Sequence, residues 1–127
     1  VLPGRPQVIL DVAHNPEAAA VLASNLGDSG FAPETIGVLG MLKDKDIRGV
    51  VRAVAPRISR WHLATLPGPR GAAAAQLLEV LRAEGVRSPA TAHASVGEAL
   101  AAARGEAGEN DKIVVFGSFL TVAGAYG

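Results

Sequence analysis

The sequence predicts an α/β fold: a mainly parallel sheet with helices on both faces, three layers in all. Three observations carry the prediction. Short apolar runs alternate with helical patterns of about ten residues, the alternation of a parallel sheet joined by crossovers. The runs at Val8 to Leu10, Thr35 to Leu39 and Ile113 to Phe116 are largely apolar throughout, as strands buried on both faces are. Each run then stops at an acid or a glycine, namely Asp11, Gly40 and Gly117.

The elements follow in order. Val1-Leu2 reads as the tail of a strand and Pro3 to Pro6 as a turn. Val8 to Leu10 is the first full strand. Asn15 is a good N-cap, Pro16 suits the first helical position, and Glu17 sits where the helix dipole favours an acid. A helix is therefore expected from Pro16 to Leu26, with Gly27 as its C-cap. Asp28 to Pro33 reads as a loop, and Thr35 to Leu39 as the second strand. Asp46 or Asp44 caps a helix that runs to about Ala55 and is closed by Pro56. Ile58 to Leu66 reads as a strand with Trp61 and Leu63 on one face. Pro67 to Gly71 is a rigid loop, and Ala72 to Glu84 a helix followed by Gly85. Ala90 to Ala92 is a short strand. Ser95 to Glu98 fits a capping box and opens a helix to about Arg104. Gly105 to Asp111 is a polar loop, Ile113 to Phe116 the last strand, and Phe119 to Tyr126 a helix start.

Composition bounds the function. The 127 residues suffice for one domain with one core, which is expected to fold as a unit. Lys plus Arg and Asp plus Glu number 12 each, so no net charge points to nucleic acid or to an anionic membrane. No apolar run approaches the roughly 20 residues of a membrane-spanning helix. Cysteine is absent, which excludes disulfides and thiolate metal sites and favours a reducing compartment or no redox demand; the protein is expected in the cytoplasm. The N-terminus has no signal-peptide pattern and no initiator methionine, so the chain is expected to begin inside a longer protein.

Parallel strands place the loops at their carboxyl ends along one edge, where ligands bind in such sheets. Asp11 to Asn15, Gly40 to Asp46, Pro67 to Gly71 and Gly117-Ser118 should therefore share a rim. Each polar residue there has a bland reading and a functional one. Asp11 is a loop acid that caps the following helix, or an acceptor for a ribose hydroxyl or a ligand ammonium. His14 is a surface residue, or a donor at a helix N-terminus that suits anions. Asn15 is explained by its cap. Lys43, Asp44, Lys45 and Asp46 form a solvated capping turn, or a turn in which a lysine binds a carboxylate or phosphate. Arg70, stiffly presented between Pro69 and Gly71, pairs with a loop acid or grips a carboxylate bidentately. Ser118 is an N-cap, or a hydroxyl donor to a carboxylate. His62 reads as a structural strand residue and His93 as a structural loop residue. The chain has no Gly-x-x-x-x-Gly-Lys-Ser/Thr and no Gly-x-Gly-x-x-Gly, so an ATP-using enzyme is not complete within it.

Asp11-Val-Ala-His14-Asn15-Pro16 resembles the motif that opens the C-terminal domain of folylpolyglutamate synthase/dihydrofolate synthase, in the Mur ligase superfamily. Gly40-Met-Leu-Lys-Asp-Lys-Asp46 resembles that family's second loop. Pro69-Arg70-Gly71-Ala72 fits between, and Phe116-Gly-Ser-Phe-Leu-Thr-Val-Ala123 resembles the last loop. The resemblance implies an ATP-dependent ligase that adds L-glutamate to folate or dihydropteroate through an acyl phosphate. It implies ATP contacts at Asp11 and Asn15, and glutamate contacts at His14, Ser118, Lys43 and Arg70, although family members vary at the Lys43 position. ATP and Mg2+ would be held mainly by an N-terminal P-loop domain of the same protein, absent from this chain. The chain alone would then be inactive. The family's nucleotide-contacting arginine would fall just before Val1. Two other classes stay open: a Mur-type ligase for another amino acid, and a stand-alone α/β binding or receiver-type domain. The receiver reading needs an acidic cluster at Asp11 and a lysine near Ser118, and the sequence has neither.

Overall fold

The computed structural model describes residues 7–11, 13–28, 34–108, 111–118 and 121. The strand tail and turn expected over residues 1–6, the loop at 29–33 and all but Thr121 of the helix expected from Phe119 lie outside these residues. The elements are β1 (Gln7–Leu10), α1 (Pro16–Asp28), β2 (Thr35–Leu39), α2 (Ile47–Val54), a 3-10 turn (Ala55–Arg57), β3 (Arg60–Ala64), α3 (Ala74–Ala83), β4 (Ala90–His93), α4 (Val96–Glu106) and β5 (Lys112–Phe116).

The strands form one sheet in the order β1-β5-β2-β3-β4, and every pairing is parallel. From β1 to β4 the chain steps one way across the sheet, and from β4 it returns to seat β5 between β1 and β2. Right-handed crossovers then require the first three helices on one face and the fourth on the other. The packing agrees. Leu22 of α1, Val50 and Val51 of α2 and Leu77 and Leu81 of α3 share a core with Trp61, Leu63, Val114 and Phe116. Val96, Ala99, Leu100 and Ala103 of α4 pack on Ile36, Val38, Ala64, Ile113 and Val115. The alternation of a strand explains the split: Trp61 and Leu63 face α1–α3, while Ala64 faces α4. All five residues of β5, the second strand in from the β1 edge, are buried.

Several boundaries differ from expectation. α1 passes Gly27 and ends at Asp28, a shift within the range over which helix ends fray. Pro56 lies inside the 3-10 turn that follows α2, where its fixed φ is tolerated. β3 is shorter than Ile58 to Leu66, because the Ile58 amide closes the 3-10 turn on the Ala55 carbonyl and the Leu66 amide turns away to that of Ala72. α3 begins at Ala74, since Ala73 is extended and Ala72 gives its amide to the Met41 carbonyl. Gly85 ends α3 as expected, at φ +80°. Ser95 Oγ accepts from the Glu98 amide, whereas the Glu98 carboxylate accepts from Ala94 and so reaches one residue further back than a capping box does. β4 includes His93, which is a strand residue and not a loop residue.

Candidate functional site

The loops that follow β1, β5, β2 and β3 stand side by side at the carboxyl edge, in that order. Backbone bonds knit them together. The Asp11 amide donates to the Val115 carbonyl at 2.9 Å, and the Gly40 amide to that of Phe116 at 3.3 Å. Leu42 and Gly71 form an antiparallel bridge, the Lys43 amide donates to the Arg70 carbonyl at 2.7 Å, and the Ala72 amide to the Met41 carbonyl at 2.9 Å. Gly117 adopts φ +115°, and a Cβ there would lie 2.2 Å from the Gly40 carbonyl oxygen, so the approach of these two loops needs a glycine.

Each expected site residue has a definite place. Asp11 Oδ1 accepts from the Ala13 amide at 2.8 Å, an Asx turn, while Ala13 itself is buried in the core. Asn15 Oδ1 accepts from the Ala18 amide at 2.8 Å, the N-cap of α1. His14, between them, is exposed. Ser118 is buried, only 5% accessible. Lys43 is exposed at the turn after β2. Arg70 meets Asp44 at 2.7 Å across an exposed pair, and this hydrogen bond holds the Asp44 carboxyl below the usual carboxylate range. The salt-bridge reading of Arg70 is thus the one seen. Asp46, not Asp44, caps α2, accepting from the Gly49 amide at 2.9 Å. Asp11, His14 and Asn15 sit on the loop beside Ser118, and Lys43 and Arg70 sit on two loops joined by their backbones.

Some polar residues at this rim escaped the sequence reading. Thr65 Oγ1 accepts from the Ala74 amide at 2.8 Å and supplies the cap for α3 that Ala73 cannot. Thr121 is wholly buried and donates its hydroxyl to the Gly40 carbonyl at 2.7 Å. A threonine at a strand end or in a helix start carries no periodic mark, and only the tertiary contact reveals it.

Two further polar clusters lie off the rim. On the α4 face, His62 Nδ1 meets His93 Nε2 at 2.8 Å, and His62 Nε2 meets the Glu106 carboxylate. Arg60 extends the row, 3.5 Å from Glu106 and 3.3 Å from Glu34. Burial first, then the neighbouring His62, lowers the His93 pKa, against the carboxylates of Glu98 and Glu106. At the amino edge, where α2 and α3 end, a cavity of about 310 Å³ is lined by Arg52, Pro56, Glu84 and Arg87 among others. Glu84 there accepts from Arg48 Nε at 2.7 Å with one carboxylate oxygen and from Arg52 Nε at 2.9 Å with the other. Among the described residues, no group of three or more His, Asp or Glu is placed to hold a metal ion, and no helix is long and apolar enough to cross a membrane.

The sequence profile of the family described as "Mur ligase, glutamate ligase domain" matches residues 2–119. The dihydrofolate synthase/folylpolyglutamate synthase of Haemophilus influenzae is 42% identical over 120 residues, covering 93% of this chain and 28% of that protein. The protein of the same name from Escherichia coli is 41% identical over 130 residues, covering 97% of this chain and 29% of its own. The chain therefore spans less than a third of the curated relatives it matches. Among solved structures, Escherichia coli FolC in complex with ADP superposes with a TM-score of 0.87 at 40% identity, over 99% of this chain and 31% of that one. A bifunctional folylpolyglutamate synthase/dihydrofolate synthase with Mn, AMPPNP and L-glutamate bound gives 0.84 at 41% identity, over 97% of this chain and 29% of that one. A profile match over nearly the whole length, joined by relatives above 40% identity, supports one assignment: the chain belongs to the Mur ligase glutamate ligase domain family.

Proposed function

We propose that this chain is the glutamate-ligase domain, residues 1–127, of a cytoplasmic ATP-dependent ligase that joins L-glutamate to folate or dihydropteroate. One observation carries the reading: in a chain of this family, four polar loops share one rim at the carboxyl edge of the sheet. The relatives crystallised with ADP, and with Mn, AMPPNP and L-glutamate, support the same ligand classes.

In the intact protein, ATP gives its terminal phosphoryl group to the free carboxylate of the folate, forming an acyl phosphate and ADP. The amine of L-glutamate, as free base, attacks the acyl carbon. The tetrahedral adduct expels inorganic phosphate, and the new amide nitrogen releases a proton. Asp11 and Asn15 face the nucleotide in this scheme. His14, Ser118, Lys43 and Arg70 serve the two glutamate carboxylates and leave the amine unencumbered. Arg70 must then trade Asp44 for a substrate carboxylate, an exchange made easier because both partners are exposed. A divalent cation neutralises the phosphates when bound. As the family resemblance implies, we assign it to an N-terminal P-loop domain of the same protein. That domain and this rim would close on the acyl phosphate and keep water from it.

The test is ADP release by the intact protein. It should require both L-glutamate and a folate or dihydropteroate acceptor, and should fail when aspartate or alanine replaces glutamate. The 127-residue chain by itself should release none. Turnover by the chain alone, or equal turnover with another amino acid, would refute the assignment.

A further inference from the structure

Thr121 plays no part in the scheme above, yet its side chain ties two of the rim's loops together. It is wholly buried, three positions beyond Ser118. Its amide donates to the Ser118 carbonyl at 3.1 Å, and its hydroxyl donates to the Gly40 carbonyl at 2.7 Å. The first bond shapes the turn after β5. The second reaches across to the first residue of the loop that carries Lys43 and Asp44.

The surroundings leave little room for another arrangement. A Cβ on Gly117 would meet the Gly40 carbonyl oxygen at 2.2 Å, and a Cβ on Gly40 would meet Thr121 Oγ1 at 2.9 Å. The Gly40 peptide is also tied from its amide side to Phe116. A buried carbonyl that loses its donor must find another or be left unsatisfied, so removing one hydroxyl should loosen the junction between the two loops. Those loops carry Ser118 on one side and, on the other, Lys43, whose amide is tied to the Arg70 carbonyl of the next loop.

We infer that Thr121 is a positioning residue: its hydroxyl sets the spacing between the Ser118 turn and the Lys43 loop, to which the Arg70 loop is bridged, and thereby the fit of an amino-acid substrate with two carboxylates. The inference rests on the proposed glutamate contacts at those turns. Thr121 itself touches no substrate.

Thr121→Val keeps the side-chain shape and removes the donor, Thr121→Ser keeps the donor, and Thr121→Cys weakens it. In the intact protein, Thr121→Val should raise KM for L-glutamate roughly tenfold, the scale of one hydrogen bond, with KM for ATP little changed. Thr121→Ser should restore glutamate KM, and Thr121→Cys should fall between. Ser118→Ala is the reference. If it raises glutamate KM while Thr121→Val does not, the positioning role is refuted and the proposed site stands. If Ser118→Ala leaves glutamate KM unchanged, the proposed Ser118 contact is refuted and the inference goes with it. Should Thr121→Val lose its cooperative melt, the Ser and Cys variants decide, and equal glutamate KM in those two refutes the role.

Discussion

Asp11 commits its Oδ1 to the amide two residues ahead, and among the described residues no such bond is seen at its other oxygen. That division makes a prediction possible. In the intact protein, Asp11→Ala should raise KM for ATP by roughly ten- to a hundredfold, the loss of a hydrogen bond between charged and polar partners. Its thermal transition should stay cooperative. A variant that no longer melts cooperatively would make the Asx turn the whole role of Asp11. His14 and Ser118 differ in a way the sequence did not reveal, since one is exposed and the other buried. Each alanine variant is still expected to lower kcat/KM for glutamate by roughly ten- to a hundredfold. The double variant should lose less than the product, because groups serving one ligand are not independent. Two variants with unaltered glutamate kinetics would move the site toward Lys43 and Arg70. The cap at Asn15 could be read from its sequence neighbours, Pro16 and Glu17. The partner of Arg70 could not: Asp44 lies twenty-six residues away, and any of several loop acids satisfied the same pattern.

At the scale of elements, two polar clusters fasten helices, and both respond to acid in the same sense. Glu84, at the end of α3, is gripped by Arg48 and Arg52, which stand one turn apart on α2. The hydrogen bond from Arg52, and then that from Arg48, hold its carboxyl below the usual range. The folded-state pKa is depressed, so the stabilisation is full above the unfolded carboxylate value of about 4.3 and disappears as pH falls through the lower folded value. His93 is also depressed, chiefly by burial. Its unfolded form binds a proton at about pH 6.5 while the folded form still resists it, so stability declines as pH drops below that point. The expected acid limb therefore has two steps. His93→Gln should remove the step just below neutrality and Glu84→Gln should shrink the lower one, to which Asp44 also contributes, both followed by urea midpoints from pH 8 to pH 3. A limb unchanged in either variant would assign that step to other groups. The strands and helices themselves were legible because apolar period and cap residues are local signals. The His62–His93–Glu106 row was not. Strand alternation places His62 on the face opposite Trp61 and Leu63, and only the β3–β4 register, which pairs His93 with Ala64, lets its ring reach diagonally to His62.

At the scale of the molecule, alternation of strands and helices predicted a parallel sheet and one rim, and both are present. Strand order was beyond reach, because nothing in the composition of Lys112–Phe116 says that it seats between the first two strands. The 127-residue chain should unfold in one cooperative transition, since it has its own sheet and a core on each face. A version ending at Gly108 should show no such transition by circular dichroism, and a sharp melt in that version would deny β5 its central role.

The seat of β5 also governs how the protein comes into being on the ribosome. Among the described residues β1 has no partner but β5, so the first of these five strands to be made waits for the fifth before it can join this sheet. The segment that completes the sheet is the one that delivers Ser118. A product that ends before β5 should thus expose an unpaired strand and lack a finished rim, so the proposed binding edge first exists only when β5 takes its seat.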